Sequence, residues 1–428
     1  MPRTATKNKR PRTPKSNLGL KRSGSALPYS CADLFAGAGG LAVGFHSAGF
    51  ACRFFNEIDE TASETFKTNF DSAVPFVQPI QDLTAKEIRK HCPVVFDEGL
   101  DVIVGGPPCQ GFSIYAPNRS ESDARNHLFQ EYVRLVLEGI RPKFILMENV
   151  PGLVSLDEGQ TLRSVVQAFG AAGYSVIFKI LNAAHYGVPE ERWRLFFLGT
   201  RLPGVELSFP EPTHYSVRRV NFTGGKSYVF RYAVQPSLEA DLFPLGLLPP
   251  TTVSEAVSDL PPIESNGGSD VGGYSVKPKS DYQKAMRGNR TVLYNHHCNG
   301  VQPINLQRLQ YVKPGGSWRD IPHRLLPAGL QRARRSDHTR RYGRVHPDEP
   351  SGTILTRCDP HWGSFFHYSQ DRIISVREAA RIQSFPDWFR FTGSCTDQYK
   401  QVGNAVPPIL AKVIAVHIRR LLESNKSR

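Results

Sequence analysis

The feature that most constrains the fold is an alternation of short apolar runs and helical segments between residues 29 and 200. The runs at 30–35, 51–56 and 144–147 have the length and apolar composition of buried strands. Apolar residues at helical spacing fill the stretches between such runs, most clearly at 126–139. Strands that alternate with helices predict an α/β fold with a parallel sheet covered on both faces.

The composition changes after about residue 203. Residues 204–350 are rich in Gly, Pro, Ser and Arg, and they show short strand-like pieces without a long helix. Regular patterns return near residue 373, with a short helix at 376–382, a turn at 401–408 and an apolar terminal helix at 409–422. We therefore expect a second, smaller and irregular domain, preceded by the α/β domain and by a disordered basic arm at residues 1–28.

The net charge of +14 is concentrated in two regions. Residues 1–30 contain eight Lys or Arg and no acid, and residues 281–350 contain thirteen Lys or Arg against five acids. The rest of the chain is close to neutral in charge. Two basic regions on an otherwise near-neutral protein indicate a polyanionic partner held at one face.

The seven cysteines form no Cys-x-x-Cys pair, and their number is odd. This pattern argues against a disulfide framework or a zinc ribbon and favours a reducing cytoplasm. The sequence contains no apolar run of membrane-spanning length and no secretory signal, so we expect a cytoplasmic protein without a membrane partner.

A glycine-rich turn, DLFAGAGG, follows the first predicted strand at residues 33–40. Glycines between a strand and a helix allow a ligand to approach the backbone at the helix N-terminus. Glu57, at the end of the next strand, is placed to accept hydrogen bonds from a ribose, and Asp82 could meet an adenine amino group. The spacing differs from the dinucleotide fingerprint. A tight strand–helix connection, with Asp82 as a helix N-terminal acid, is the alternative.

A second turn, VGGPPCQGFS at residues 104–113, places Cys109 near the tip of a stiff loop at a strand end. Two glycines permit the sharp turn, and Pro107 and Pro108 restrict its dihedral angles. A rigidly presented thiol is a candidate nucleophile. The alternative is a small buried hydrophobic residue.

Three charged residues complete the candidate site. Glu148 follows an apolar run, so we expect burial to raise its pKa and suit it to proton donation. Arg192 and Arg194 alternate on a strand-like run, so both should point to one face and require anions. A surface acid and a solvated edge strand are the alternatives. Asn404, in GNAVPP, is expected at or near the N-cap of the terminal helix.

Taken in this order, DLFAGAGG, GGPPCQGFS, ENV, RxR and GNAVPP closely resemble the motifs of the DNA (cytosine-5) methyltransferase family. The resemblance covers roughly residues 29–200 and 338–428, and segments 342–356 and 375–387 also resemble the family's carboxy-terminal region. One position departs from the pattern, because Glu190 stands where the family often has Gln.

The resemblance implies an S-adenosylmethionine-dependent, Rossmann-like catalytic domain at 29–205 and a target-recognition domain at 206–371. Residues 372–428 would return to the catalytic domain. Cys109 would attack carbon 6 of a flipped-out cytosine, Glu148 would contact ring nitrogen 3, Arg194 would hold the carbonyl oxygen and Arg192 would support the loop. The residues implied in S-adenosylmethionine binding are Phe35, Gly37, Gly39, Gly40, Leu41, Glu57, Ile58, Asp82, Leu83, Pro107, Asn404 and Ala405. The resemblance implies no metal.

The implied partner is double-stranded DNA, bound by a monomer that could act beside a restriction endonuclease for the same site. The expected phosphate contacts are Arg332, Arg334, Arg335, Arg340 and Arg341. Three alternatives remain open at this point. They are the family's tRNA-modifying branch, a catalytically silent DNA-binding relative, and a nicotinamide-dependent dehydrogenase that would use the glycine-rich turn and Glu57.

Overall fold

The computed structural model describes residues 27–108, 128–216, 231–234, 246–337 and 340–426. Its first half contains eight strands: β1 Tyr29–Leu34, β2 Phe50–Asn56, β3 Val74–Phe76, β4 Val102–Gly105, β5 Phe144–Asn149, β6 Ser175–Asn182, β7 Glu190–Glu191 and β8 Trp193–Thr200. Seven of them form the central sheet in the order β3-β2-β1-β4-β5-β8-β6. The carboxyl ends of β1, β2, β4 and β5 therefore meet at one edge, where ligands bind in open α/β sheets.

Helices cover both faces of this sheet. In chain order they are α1 Gly40–Ser47, α2 Glu60–Asn69, α3 Ala85–His91, α4 Val94–Asp97, α5 Leu128–Leu135 and α6 Gln160–Ala171. Alternate residues of a strand face opposite sides. In β1, Cys31 packs into the core shared with α1, whereas Ala32 packs into the core shared with α3, α5 and α6.

The prediction of a parallel sheet holds for β1 to β5, but the sheet as a whole is mixed. β8 runs antiparallel to both of its neighbours, β5 and β6. Residues 183–192 connect β6 to β8, and this link is shorter than the crossover that two parallel neighbours require.

The region after residue 246 is built from short elements. They are α7 Val253–Val257, β9 Gly268–Gly273, α8 Asp281–Arg287, β10 Val292–His297, α9 Pro303–Leu309, α10 Ala328–Gln331, β11 Gly343–Arg344, β12 Ser351–Gly352 and β13 Ser364–Phe366. β9 and β10 form an antiparallel hairpin, and β12 pairs in parallel with β7 of the first half. Within residues 246–337 and 340–366, no helix exceeds seven residues. The pairing of β7 with β12 joins this region to the first half of the chain.

Three helices end the chain: α11 Val376–Ile382, α12 Cys395–Asn404 and α13 Pro408–Lys426. The predicted turn at 401–408 was wrong in its first half, because α12 continues to Asn404. Asn404 therefore ends α12 and does not cap α13. Ser394 and Asp397 form a capping box at the start of α12, a sequence signal that the prediction missed. α13 packs on α1 so closely that a Cβ at Gly44 would overlap Ala411.

Candidate active site

The glycine-rich turn between β1 and α1 leaves open space above its first glycine. Gly37 and Gly39 have φ angles of 55° and 101°, in the left-handed region that favours glycine. A Cβ at Gly39 would lie 2.9 Å from the ring of Phe66, whereas a Cβ at Gly37 would meet nothing within 4 Å. Phe35 also has a positive φ, of 55°. The turn is tight beneath and open above, as a ligand-binding turn requires.

Glu57 ties the end of β2 to this turn. Its Oε2 accepts a hydrogen bond from the Gly37 N–H at 2.7 Å, and its Oε1 accepts one from the Asp59 N–H at 2.8 Å. Burial raises the pKa of Glu57, and these two N–H groups oppose the shift. A carboxylate has further lone pairs, so Glu57 can still accept from ribose hydroxyls. Beside it, Ile58 is 64% exposed, which provides an apolar surface for a base.

The carboxy-terminal segment closes the other side of the turn. A Cβ at Gly40 would lie 2.5 Å from the Val406 carbonyl oxygen and 3.0 Å from the Ala405 Cβ. Asn404, the preceding residue, is exposed. The structure thus brings Asn404 and Ala405, more than 360 residues away in sequence, beside Gly40.

The remaining predicted cofactor contacts differ in accessibility. Asp82 is exposed, but Leu41 and Leu83 have side chains buried in the core. Any contact of these two leucines with a ligand would use their backbone. Thr84, and not Asp82, caps α3 by accepting a hydrogen bond from the Glu87 N–H. Asp82 lies two residues before this cap, so its alternative as an acid at the helix N-terminus stays open.

The stem of the cysteine loop lies against the end of β5. Pro107 is buried, and its carbonyl oxygen accepts a hydrogen bond from Asn149 Nδ2 at 3.3 Å. A Cβ at Gly106 would lie 3.0 Å from Glu148 Oε2, so this carboxylate packs closely against the backbone of the loop stem. Cys109 itself lies outside the described residues. The described stem ends at Pro108, next in the chain to Cys109.

Glu148 and Arg194 form a close ion pair at this edge. Arg194 Nε lies 2.8 Å from Glu148 Oε1, and the two side chains are only 16% and 14% exposed. Burial raises the pKa of Glu148, although Arg194 and Arg192 oppose it, which is the direction expected from the sequence. Burial, reinforced by Arg192, lowers the pKa of Arg194 to about 10. The pair therefore consists of a carboxyl group whose pKa is raised and a guanidinium held against it.

Arg192 has a different environment from Arg194, although both act on Glu148. It precedes β8 instead of lying on it, so the prediction of two arginines alternating along one strand was wrong. Its side chain is buried and donates to the carbonyl oxygens of Ile354 at 3.1 Å and Gly403 at 2.7 Å. Arg192 thereby joins three segments that are distant in sequence.

Two buried acids near this site had no predicted role. Glu190 is fully buried, and its Oε1 accepts from the Ile354 N–H at 2.6 Å. Asp33, also fully buried, has no hydrogen-bond partner for either carboxylate oxygen within the described ranges. Burial, with Glu57 nearby, raises the pKa of Asp33 well above its usual value. The sequence signal that could have identified Asp33 as a buried acid is its position after an apolar run.

A second cluster of buried charges anchors the irregular region. Arg381 contacts both oxygens of Asp387 at 2.6 Å, and also Asp259 at 3.0 Å. Arg372 contacts both oxygens of Glu378 at 2.7 and 2.8 Å. This anchor cluster connects α11 to the residues around α7, and sequence analysis missed it; four of its five charges lie within residues 372–387, and only Asp259 is distant along the chain.

The basic surface carries the arginines predicted to contact phosphate. Arg332, Arg334, Arg335 and Arg340 are exposed, and the Arg341 guanidinium lies 5.4 Å from the ring centre of Trp362. A Cβ at Gly352 would overlap the guanidinium of Arg340. Since Gly352 belongs to β12, the basic surface reaches the strand that pairs with β7.

Across the part of the chain that the structure describes, no group of three or more His, Cys, Asp or Glu is placed to hold a metal ion. In the same ranges, no helix combines the length and the apolar character needed to cross a membrane.

Comparison of sequences identifies similar proteins along almost the whole chain. A family model described as C-5 cytosine-specific DNA methylase matches residues 29–420. Type II methyltransferase M.AgeI of Thalassovita gelatinovora is 35% identical over 438 residues, covering 90% of this chain and 98% of that protein. Type II methyltransferase M1.HphI of Haemophilus parahaemolyticus is 34% identical, covering 91% and 86%.

Solved structures agree with this result. A DNA modification methyltransferase encoded within an E. coli prophage has a TM-score of 0.66 and 25% identity, covering 92% of this chain and 99% of that one. DNMT2 of Spodoptera frugiperda has a TM-score of 0.52 and 16% identity, which indicates a shared fold only. These matches confirm the predicted Rossmann-like methyltransferase fold.

Proposed function

We propose that Cys109 forms the covalent bond to the target base in this chain, which belongs to the C-5 cytosine-specific DNA methylase family and is a DNA (cytosine-5) methyltransferase. Carbon 5 of cytosine is a poor nucleophile while the ring is conjugated. Addition of the Cys109 thiolate to carbon 6 makes carbon 5 enamine-like, which is nucleophilic catalysis.

Glu148 and Arg194 stabilise the charge that this addition sends into the ring. Burial raises the pKa of Glu148, which favours the protonated form that would donate to ring nitrogen 3. Arg194 holds Glu148 in place at 2.8 Å and binds the carbonyl oxygen of the base. After carbon 5 has gained the methyl group, loss of its proton breaks the sulfur–carbon 6 bond and releases Cys109.

S-adenosylmethionine is the family's methyl donor, and it supplies an electrophilic methyl group. The open space above Gly37, the carboxylate of Glu57 and the exposed Ile58 suit a nucleoside with ribose hydroxyls and a flat base. We propose that these residues hold it, with Phe35, Pro107 and the 404–405 segment completing the site.

We propose that residues 206–371 recognise a specific duplex sequence and that the target cytosine is flipped out, because it cannot be reached within a duplex. The exposed arginines beside β12 support this placement of the DNA. The protein would act as a monomer in the cytoplasm, beside an endonuclease for the same site. Binding through phosphate contacts should weaken steeply as salt rises, and a flat salt response would contradict this DNA face.

The observation that carries the mechanism is the Glu148–Arg194 pair against the stem of the Cys109 loop. Transfer of a tritiated methyl group should occur on duplex DNA and not on tRNA, and Cys109→Ser should abolish it. A duplex with 5-fluorocytosine at the target should trap a covalent complex, because fluorine cannot leave as a proton does. Undiminished transfer by Cys109→Ser would exclude the mechanism. Bisulfite sequencing of plasmid from expressing cells identifies the site.

A further inference from the structure

Glu190 occupies a buried position between the active-site arginines and the recognition region. Its side chain is fully buried, with Oε1 2.6 Å from the Ile354 N–H and 3.4 Å from Arg192 Nη1. Its Oε2 has no hydrogen-bond partner in the described part of the chain. A buried carboxylate with an unused oxygen is costly, so a role in packing alone is a poor explanation of Glu190.

The position of Arg192 depends on the same contacts. Arg192 is buried, and its Nε, like Glu190 Oε2, has no hydrogen-bond partner within the described ranges. Its other nitrogens contact Glu190 and the carbonyl oxygens of Ile354 and Gly403. Among these contacts, Glu190 is the ionisable partner.

We propose that Glu190 is a positioning residue for methyl transfer, which holds Arg192 and offsets its charge so that Glu148 faces one uncompensated guanidinium and not two. The inference rests on the role proposed above for Glu148 as the group that donates to ring nitrogen 3.

The assignment requires a charged Glu190, which the contacts with Arg192 at 3.4 Å and with the Ile354 N–H at 2.6 Å favour against burial. Arg194 and then Arg192 are the charges that lower the pKa of Glu148 against the effect of burial. Burial raises the pKa of Glu190, and Arg192, the Ile354 N–H and Arg194 oppose that shift. From other segments, Cys358 and Tyr282 also face Glu190. Burial raises the pKa of both, so they remain uncharged near neutrality and leave the balance to the arginines.

Removing the charge of Glu190 should therefore alter the pH dependence of the reaction. Without the negative charge of Glu190, the positive charge of Arg192 would act fully on Glu148, which would then lose its proton at a lower pH. In a plot of kcat against pH, the alkaline limb would therefore move toward lower pH. A shift of one pH unit is about a tenfold loss of rate above that limb. The loss should be recovered at lower pH, and the KM for duplex DNA should stay within about twofold, because Glu190 is buried away from solvent.

The experiment measures kcat and KM against pH for the full-length enzyme and three variants, on duplex DNA containing its site. Glu190→Gln keeps an acceptor for the Ile354 N–H and removes the charge. Glu190→Asp keeps the charge and should restore the wild-type alkaline limb, even at a reduced rate. Glu191→Gln is the matched control, because Glu191 is the next buried acid but accepts from Asn182 and Ser216 instead.

The proposal would be supported if the alkaline limb of the pH–kcat profile moved to lower pH in Glu190→Gln and stayed unchanged in Glu190→Asp and Glu191→Gln. A wild-type limb in Glu190→Gln, an equal loss at every pH, or the same shift in Glu191→Gln would overturn it. Glu148→Gln, measured in parallel, separates the two ideas. If Glu148→Gln is as active as wild type, the proposed mechanism fails, whereas an inactive Glu148→Gln with an unshifted Glu190→Gln refutes the Glu190 assignment only.

Discussion

The active site and the anchor cluster both bury arginines against carboxylates, yet they shift carboxyl pKa values in opposite directions. Burial raises the pKa of Glu148 and Glu190 in the active site. In the anchor cluster, arginines lower the pKa of Glu378 and Asp387 in spite of burial. Burial is common to both places, so burial alone does not decide the charge of a carboxyl group.

The difference lies in how completely each carboxylate is paired. Each carboxylate oxygen of Glu378 and of Asp387 contacts a guanidinium nitrogen within 2.8 Å. In the active site, Glu148 meets Arg194 through one oxygen, and Glu190 lies 3.4 Å from Arg192. Full bidentate pairing stabilises charge, whereas partial pairing allows burial to raise the pKa of the carboxyl group. The anchor cluster therefore keeps its carboxylates charged, whereas the active site holds carboxyl groups whose pKa values are raised.

Removal of the catalytic carboxyl should have the largest effect on activity. We expect Glu148→Gln to lower kcat by about 10²–10⁴-fold, the usual contribution of a general acid. Its thermal unfolding temperature should not fall, because the raised pKa of Glu148 shows that burial disfavours its charge. Steady-state kinetics and calorimetry on the same preparation test this. A lowered unfolding temperature would mean that Glu148 is structural, like the anchor residues.

Removal of an anchor arginine should affect stability instead. Arg381→Met leaves Asp259 and Asp387 buried without their main counter-ion, and breaking such a pair costs about 3–5 kcal/mol in the free energy of unfolding. Urea denaturation measures this loss, with Glu148→Gln as the control that should not show it. A loss below about 1 kcal/mol would contradict the contrast between the two clusters.

Acid should destabilise the protein through the anchor cluster. The pKa values of Glu378 and Asp387 are lower in the folded than in the unfolded protein. Their stabilisation is therefore complete above the unfolded values of about 4 and is lost as the pH falls through the folded values.

The contribution of Glu148 to folding stability has the opposite pH dependence. Because its pKa is raised in the fold, its contribution is present below the unfolded value and is lost as the pH rises through the folded value. The unfolding temperature of the wild type should fall as the pH is lowered from 7 to 3, and Glu148→Gln should lose less stability than the wild type as the pH rises above about 4. An unfolding temperature that stays constant between pH 7 and pH 3 would show that the anchor carboxylates are not charged as described.

The smallest expected effect concerns the outer contact of the anchor. The Tyr274 hydroxyl donates to Asp387, which Arg381 already holds through both oxygens. Tyr274→Phe should therefore cost about 1.5–3 kcal/mol, as for a hydrogen bond to a charged group, and less than Arg381→Met. Equal losses in the two variants, measured by urea denaturation, would show that Tyr274 and Arg381 contribute alike.

Local sequence predicted much of the fold. The predicted short helix at 376–382 has the bounds of α11, all of whose residues are buried. The motif order also predicted the family, because the chemistry requires a thiol, a carboxyl group and arginines at strand ends. The antiparallel β8 was missed, since a strand pattern carries no direction.

By itself, the sequence determined which residue types reach the sheet edge: the Cys109 loop after β4, Glu148 at the end of β5, and glycines after β1. Only the tertiary structure decided their environments. Arg192 and Arg194, two residues apart, differ because one is enclosed by Ile354 and Gly403 while the other meets Glu148. The charge of a buried group depends on partners hundreds of residues away, and spacing along the chain does not encode which partners fold against it.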